Sequence, residues 1–269
     1  MKTLLKKLIL FFKTDNTTLQ AASLSFFTLF AMIPSLQLIF YALHKINVLT
    51  SMQIQVQNFL FNILIPTQQT AIHSQLSLFL QNSESLGSNG IFYMFITALL
   101  FYFNFDQIVH NIFKTEAYTI KQKARNFFIL IILTPLLLLC ALFLTPQITQ
   151  TIEILGIHNI IASQGIIAFI VIFMLFLINY WVTPNMAFEK RYVFLSAFIA
   201  ALTWEIAKLL FIYYISINST YITLYGSLSV ILIFFLWVYF SWMIFLYGMK
   251  GMLYLHTKNR ANYQKVFTR

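Results

Sequence analysis

Charge is what this chain has least of. Only 9% of its 269 residues are Asp, Glu, Lys or Arg, against about a quarter in a soluble domain. That scarcity excludes a globular surface facing water all round. Acids are scarcer still: Asp15, Glu84, Asp106, Glu116, Glu153, Glu189 and Glu205 are the full set. Cysteine is down to Cys140, which excludes an internal disulfide and a CxxC site. A lone thiol inside an apolar run packs like any small hydrophobe. HExxH and a Gly-rich phosphate loop are also missing, so neither of those routes to metal hydrolysis or nucleotide binding is open. No secretory leader is expected. The apolar stretch between Leu8 and Phe12 is too short for one, and no small-residue cleavage site follows it.

What is abundant is apolar length. Hydrophobic residues make up 60% of the chain, and the mean hydropathy is +0.80. Six runs reach the roughly 20 residues that cross a hydrocarbon layer: about 19–43, 90–113, 126–146, 160–183, 192–217 and 225–253. The expected fold class is therefore all-α, a polytopic membrane protein with six transmembrane helices. Pro34 and Pro135 fall inside runs, which membrane helices tolerate when neighbours satisfy the freed carbonyls. Between the first two runs, Met52, Val56, Phe59, Leu60, Ile63 and Leu64 recur at helical spacing, and Ile72, Leu76, Phe79 and Leu80 do so again after Pro66. This outer segment, about 49–83, reads as short amphipathic helices lying on the membrane face or the bundle. A cap over the outer mouth is the plain reading; a gate or docking surface is the sharper one. With no repeat and no low-complexity tract, residues 1–269 read as a single integral membrane domain.

The basic residues set the orientation. Lys2, Lys6, Lys7 and Lys13 precede the first run, and the residues to Lys13 read as a surface-lying amphipathic helix. Lys114, Lys121, Lys123 and Arg125 follow the second run, Lys190 and Arg191 the fourth, and Lys258, Arg260, Lys265 and Arg269 the sixth. Fourteen of the seventeen Lys and Arg thus fall on one side, against Lys45 on the other. The positive-inside rule then puts both termini in the cytoplasm. The net charge of +10 is explained by topology, and no nucleic-acid partner is expected. Membrane lipids are, since basic loops also attract anionic headgroups.

Polar residues inside the runs carry the remaining information. Ala21, Ser25, Thr28 and Ser35 form a small stripe on the first run, read first as close helix packing and second as a cavity lining. His110 follows Asp106 by one turn, a hydrogen-bonded pair rather than a metal site, since no third ligand is evident. Asp106 and Lys250 each lie about 10 Å inside their runs at helical rise, and from equal depth they are expected to pair across the bundle. Glu205 and Lys208 are three residues apart, so they share a helical face. Glu205 falls near the middle of its run. A charge at bilayer centre costs about 2.5–3.5 kcal/mol on insertion scales. Two readings stand for this pair: mutual neutralisation, or a midplane site for a proton or an anionic substrate.

Several of these stretches together resemble the YihY/virulence factor BrkB family of bacterial inner-membrane proteins, once labelled ribonuclease BN. The first is Ala21-Ala22-Ser23-Leu24-Ser25-Phe26-Phe27-Thr28, running on to Pro34. Asn111-Ile112-Phe113 is similar to the family's Asn-Ile-Trp ending of the second span. Pro184 and Thr203-Trp204-Glu205-Ile206-Ala207-Lys208, with Phe211 and Tyr214, resemble the fifth helix. Tyr225-Gly226-Ser227-Leu228, Leu236-Trp237-Val238-Tyr239 and Leu246-Tyr247-Gly248 resemble the sixth. The likeness covers about residues 19–254. Two departures stand out: Gly248-Met249-Lys250 occurs where the resemblance leads one to expect Gly-Ala-Glu, and Ser196-Ala197 replaces Gly-Ala. The resemblance implies six helices with cytoplasmic termini in the inner membrane and a role in the cell envelope.

The leading expectation is a transporter or flippase-like exporter of a lipid or anionic amphipathic molecule, acting in envelope biogenesis. The alternative is a non-transporting membrane scaffold or assembly partner. A ribonuclease is remote, because phosphodiester cleavage needs clustered acids on metal or a His pair, and Asp15, Glu116 and Glu189 lie on separate segments. No Ser-His-acid set is evident, so the chain is not expected to be an enzyme or to carry a cofactor or metal. An oligomer stays open. A cavity reaching Glu205 and Lys208 would favour transport, and a sealed bundle there would favour the scaffold.

Overall fold

The computed structural model describes residues 16–45, 87–114, 119–133, 160–184, 186–218, 225–226 and 228–267. Among these residues there are six α-helices and no strand. They are α1 (Thr17–Lys45), α2 (Gly87–Phe113), α3 (Ile120–Phe127), α4 (Ile160–Val182), α5 (Lys190–Ile217) and α6 (Leu228–Phe267). A π-helical turn, Phe128–Leu133, continues α3. The all-α expectation holds. The amino-terminal surface helix, the outer segment 49–83 and residues 134–146 of the third run lie outside the described residues.

Among the described residues, two stretches are long and apolar enough to cross a membrane: Lys190–Ile217, which is α5, and Leu232–Thr257 within α6. Two shorter apolar stretches, Thr17–Ala31 and Phe169–Val182, belong to α1 and α4. Inside these helices several polar side chains bond back onto their own backbone. Ser25 Oγ donates to Ala21 O (2.7 Å), Thr28 Oγ1 to Leu24 O (2.7 Å), Asn179 Nδ2 to Leu175 O (2.8 Å) and Thr203 Oγ1 to Ile199 O (2.8 Å). Each donor is thereby satisfied one turn away, without water. α3 starts differently. Its amino terminus is closed by a capping box, with Thr119 N donating to Gln122 Oε1 (2.9 Å) and Gln122 N to Thr119 Oγ1 (3.4 Å), so two of the unsatisfied terminal donors are met by side chains.

α6 is central to the packing: it lies against α1 and α5 and touches α2. Beside it α1 lies against α2, and α4 lies against α5. The shared core is aromatic: Phe101, Tyr102 and Phe105 of α2, Phe173 and Tyr180 of α4, and Phe245 of α6 are all buried. Specific polar contacts fix the neighbours of α6. Trp242 Nε1 donates to Thr28 Oγ1 on α1 (2.9 Å) and Tyr180 hydroxyl to Phe245 O from α4 (2.8 Å), while Ser241 Oγ accepts from Trp204 Nε1 on α5 (3.0 Å). Ser23 Oγ, on α1, donates to Asn104 Oδ1 on α2 (3.2 Å). Where α4, α5 and α6 meet, Gly248 makes room for Tyr180. A Cβ there would collide with the Tyr180 hydroxyl, 2.9 Å from Tyr180 Cζ and 3.0 Å from Ala200 Cβ.

The small stripe on α1 follows the packing reading where its side chains are described. Ala21 and Ser25 are fully buried, and Thr28 accepts the Trp242 bond. Ser35 lies outside the described side chains.

Candidate functional site

The Glu205–Lys208 pair forms as spacing predicts. Lys208 Nζ is in an ion pair with Glu205 Oε2 one turn away on α5. The same ammonium stands 5.3 Å from the centroid of the Trp204 ring, a cation–π contact. Trp204 is held in place: its indole N–H is spent on Ser241, and its ring leans on Trp237 at 5.2 Å. Phe211 covers the other end of Trp237 at 5.1 Å. Trp204, Lys208 and Phe211 therefore make one seam along the α5–α6 contact. Glu205 pairs with Lys208 beside this seam and is the more enclosed of the two, with side-chain exposure of 18% against 31%.

The pair is not fully satisfied. Glu205 Oε1 is enclosed and accepts no hydrogen bond. A buried acceptor left without a donor costs about 1–3 kcal/mol, so this oxygen would gain from a water or a cationic or hydroxylic group. Lys208, for its part, has exposure left over on the same face. The arrangement is a half-used dipole near the middle of an apolar helix.

The second expected pair does not form. Asp106 Oδ2 lies 3.8 Å from Lys123 Nζ, which ties α2 to α3. Lys250, buried on α6, donates instead to Thr17 Oγ1 on α1. Equal depth was the whole basis for joining Asp106 to Lys250, and depth leaves azimuth undetermined: the aspartate reaches α3, the lysine α1.

The other residues singled out from the sequence scatter over the fold. Asn111 is exposed in the last turn of α2. Tyr225 is also exposed, and Gly226 beside it has φ +53, a left-handed conformation that a side chain disfavours. Gly226 O accepts from both Ser229 N (3.2 Å) and Ser229 Oγ (2.6 Å), so the turn leads straight into α6. Trp237 is part of the α5–α6 seam and Gly248 part of the Tyr180 junction. Pro34 lies within α1, whose helix runs through it.

Pro184 helps to line a cavity of about 570 Å³ between α3 and the α4–α5 connection, together with Gln122, Arg125, Trp181 and Phe188. Its wall on α5 is Val193, twelve residues from Glu205 and so about 18 Å away along the axis. This cavity does not reach the Glu205–Lys208 pair. Sequence reasoning missed it, along with the Tyr180–Gly248 junction and the ties from Arg125 Nη2 to Val182 O (3.0 Å) and from Asn126 Nδ2 to Thr183 O (3.3 Å). Asn126 and Asn179-Tyr180, polar groups at or inside apolar runs, were the available signal.

Comparison with other proteins agrees with this all-helical, apolar architecture. The family model for virulence factor BrkB matches residues 9–267. A UPF0761 membrane protein of Alteromonas mediterranea is 28% identical over 247 residues, covering 88% of this chain and 82% of its own length. Another from Pseudoalteromonas atlantica is 26% identical over 94% of this chain and 87% of its own, and one from Coxiella burnetii 27% identical over 88% and 87%. No solved structure matches. With apolar helices of crossing length and a match along nearly its whole extent, the chain belongs to the virulence factor BrkB family and is a membrane protein.

Proposed function

We propose that the chain moves an anionic amphipathic molecule, a lipid or lipid-like envelope component, across the bacterial inner membrane. The observation that carries this reading is the Glu205–Lys208 pair: an ion pair within an apolar crossing helix, with one carboxylate oxygen enclosed and unbonded. Transporters place substrate and ion sites near the midplane, and intramembrane charges are costly enough to mark such sites. In this reading Lys208 exchanges Glu205 for the substrate's anionic group. Six crossings with both termini cytoplasmic complete the reading, supported by the distribution of Lys and Arg. The chain carries out no covalent reaction of its own and needs no cofactor.

A scaffold without transport is the second reading. It is favoured by the Trp204–Ser241, Trp242–Thr28 and Ser23–Asn104 bonds, which give those polar side chains a packing role, and by the cavity lying away from the pair.

Reconstitution in liposomes with labelled candidate lipids separates the two. Wild type is expected to translocate, and Glu205→Gln and Lys208→Met to lose about tenfold or more, the scale of one lost charge-assisted contact. Equal rates in all three would remove the pair from any mechanism.

A further inference from the structure

We infer that the cavity between α3 and the α4–α5 connection holds the phosphate headgroup of an anionic glycerophospholipid, whether or not the chain transports. Its volume, about 570 Å³, lies in the range of small-molecule sites. Its lining has two characters. Trp181, Pro184, Met186 and Phe188 make an apolar wall, and Gln122 and Arg125 supply polar groups. Arg125 is anchored: Nε and Nη2 both donate to Asn126 Oδ1 (3.3 Å each), and Nη2 also to Val182 O (3.0 Å). Its Nη1 makes no such bond. A guanidinium already fixed through Nε and Nη2 presents its Nη1 donors without further ordering, which suits a phosphate oxygen. A second cation stands at the rim, with Lys190 Nζ 5.9 Å from the Trp181 ring centroid.

The acids described near this end do not oppose an anion. Glu189 is taken by Arg191 at 2.6 Å, and Asp106 by Lys123 at 3.8 Å. The cavity also lies where a headgroup would. It is built at the carboxyl end of α4 and the amino end of α5, beside α3, whose Ile120 is 87% exposed next to Lys121 and Lys123. Such short basic helices with an apolar face lie at the interface. Trp181, half exposed, leads from the polar end toward the apolar flank of α4, the path an acyl chain would take. A basic pocket between membrane helices at this depth is a recognised form of headgroup site. Soluble phosphate would use the arginine but not the aromatic wall, so the lipid fits the lining better.

The test is thermal unfolding of the purified full chain in detergent with added dioleoylphosphatidylglycerol, dioleoylphosphatidylcholine or inorganic phosphate. The expected result is a rise of about 3 °C or more with phosphatidylglycerol, and less than a third of it with the other two. The rise should vanish in Arg125→Gln/Lys190→Gln and persist in Lys114→Gln, whose exposed side chain is outside the lining. Should the double variant not fold, Ala187→Phe, which fills the cavity and keeps both cations, decides, and is expected to lose the response. No rise in wild type would overturn the proposal. So would an equal rise with phosphatidylcholine or phosphate, or an unchanged rise in both cavity variants.

Discussion

Gly248 is the residue whose side chain, or lack of one, the packing depends on most visibly. Tyr180 from α4 crosses its surface on the way to Phe245 O, and Ala200 of α5 closes the other side. Gly248→Ala is therefore expected to lower stability by about 1–3 kcal/mol, as overpacking does, read as a drop in melting temperature of the purified protein. Adding Tyr180→Phe should recover only part, since the hydroxyl is removed while the ring carbon at 2.9 Å stays. Gly251, one turn on, is the control. A Cβ there meets nothing within 4 Å, so Gly251→Ala should be neutral or stabilising by up to about 1 kcal/mol through helix propensity. A harmless Gly248→Ala would contradict the close approach. None of this could be read from the chain alone, because a glycine in an apolar run does not announce which partner needs its space. Glu205 and Lys208 were legible, since contacts within one helix follow from spacing.

At the scale of elements, the helices were legible and their mutual rotation was not. The apolar runs at 160–183 and 192–217 end within two residues of α4 and α5 at every boundary. The rise per residue gives depth along each axis but not which face meets which neighbour, and that is where Asp106 and Lys250 parted. Pairing of Asp106 with Lys123 joins α2 to α3 instead. Charge exchange checks it. Asp106→Lys should be rescued by Lys123→Asp and not by Lys250→Asp, with melting temperature as the readout. The coupling should be small, about 0–1 kcal/mol, because Lys123 is well exposed and its charge is screened. Rescue by Lys250→Asp would restore the pairing expected from depth. The cavity escaped sequence reasoning for a related reason: its lining comes from α3, the α4–α5 connection and α5, and no local pattern joins them.

At the scale of the molecule, two ends of α5 have different characters. Its amino-terminal half buries Val193, Ser196, Ala197, Ala200 and Ala201, small residues that let helices approach closely. Beyond Trp204 the face toward α6 turns aromatic and charged, while large apolar side chains are exposed along both halves, Phe194 and Ile199 as well as Leu209 and Leu210. The ion pair lies where the small-residue contact gives way to the aromatic one, and the transport and scaffold readings differ in what they require of it. Aqueous access to the pair distinguishes these most directly, and it needs no knowledge of the substrate. The chain has one cysteine, so Cys140→Ser gives a clean background for Glu205→Cys and Lys208→Cys in membranes, treated with a charged, water-soluble thiol reagent. Leu209→Cys, 65% exposed on a lipid-facing surface in this account, is the control. Transport predicts labelling at 205 and 208 at least tenfold faster than at 209. Silence at all three positions would contradict it and leave the pair as a structural tie.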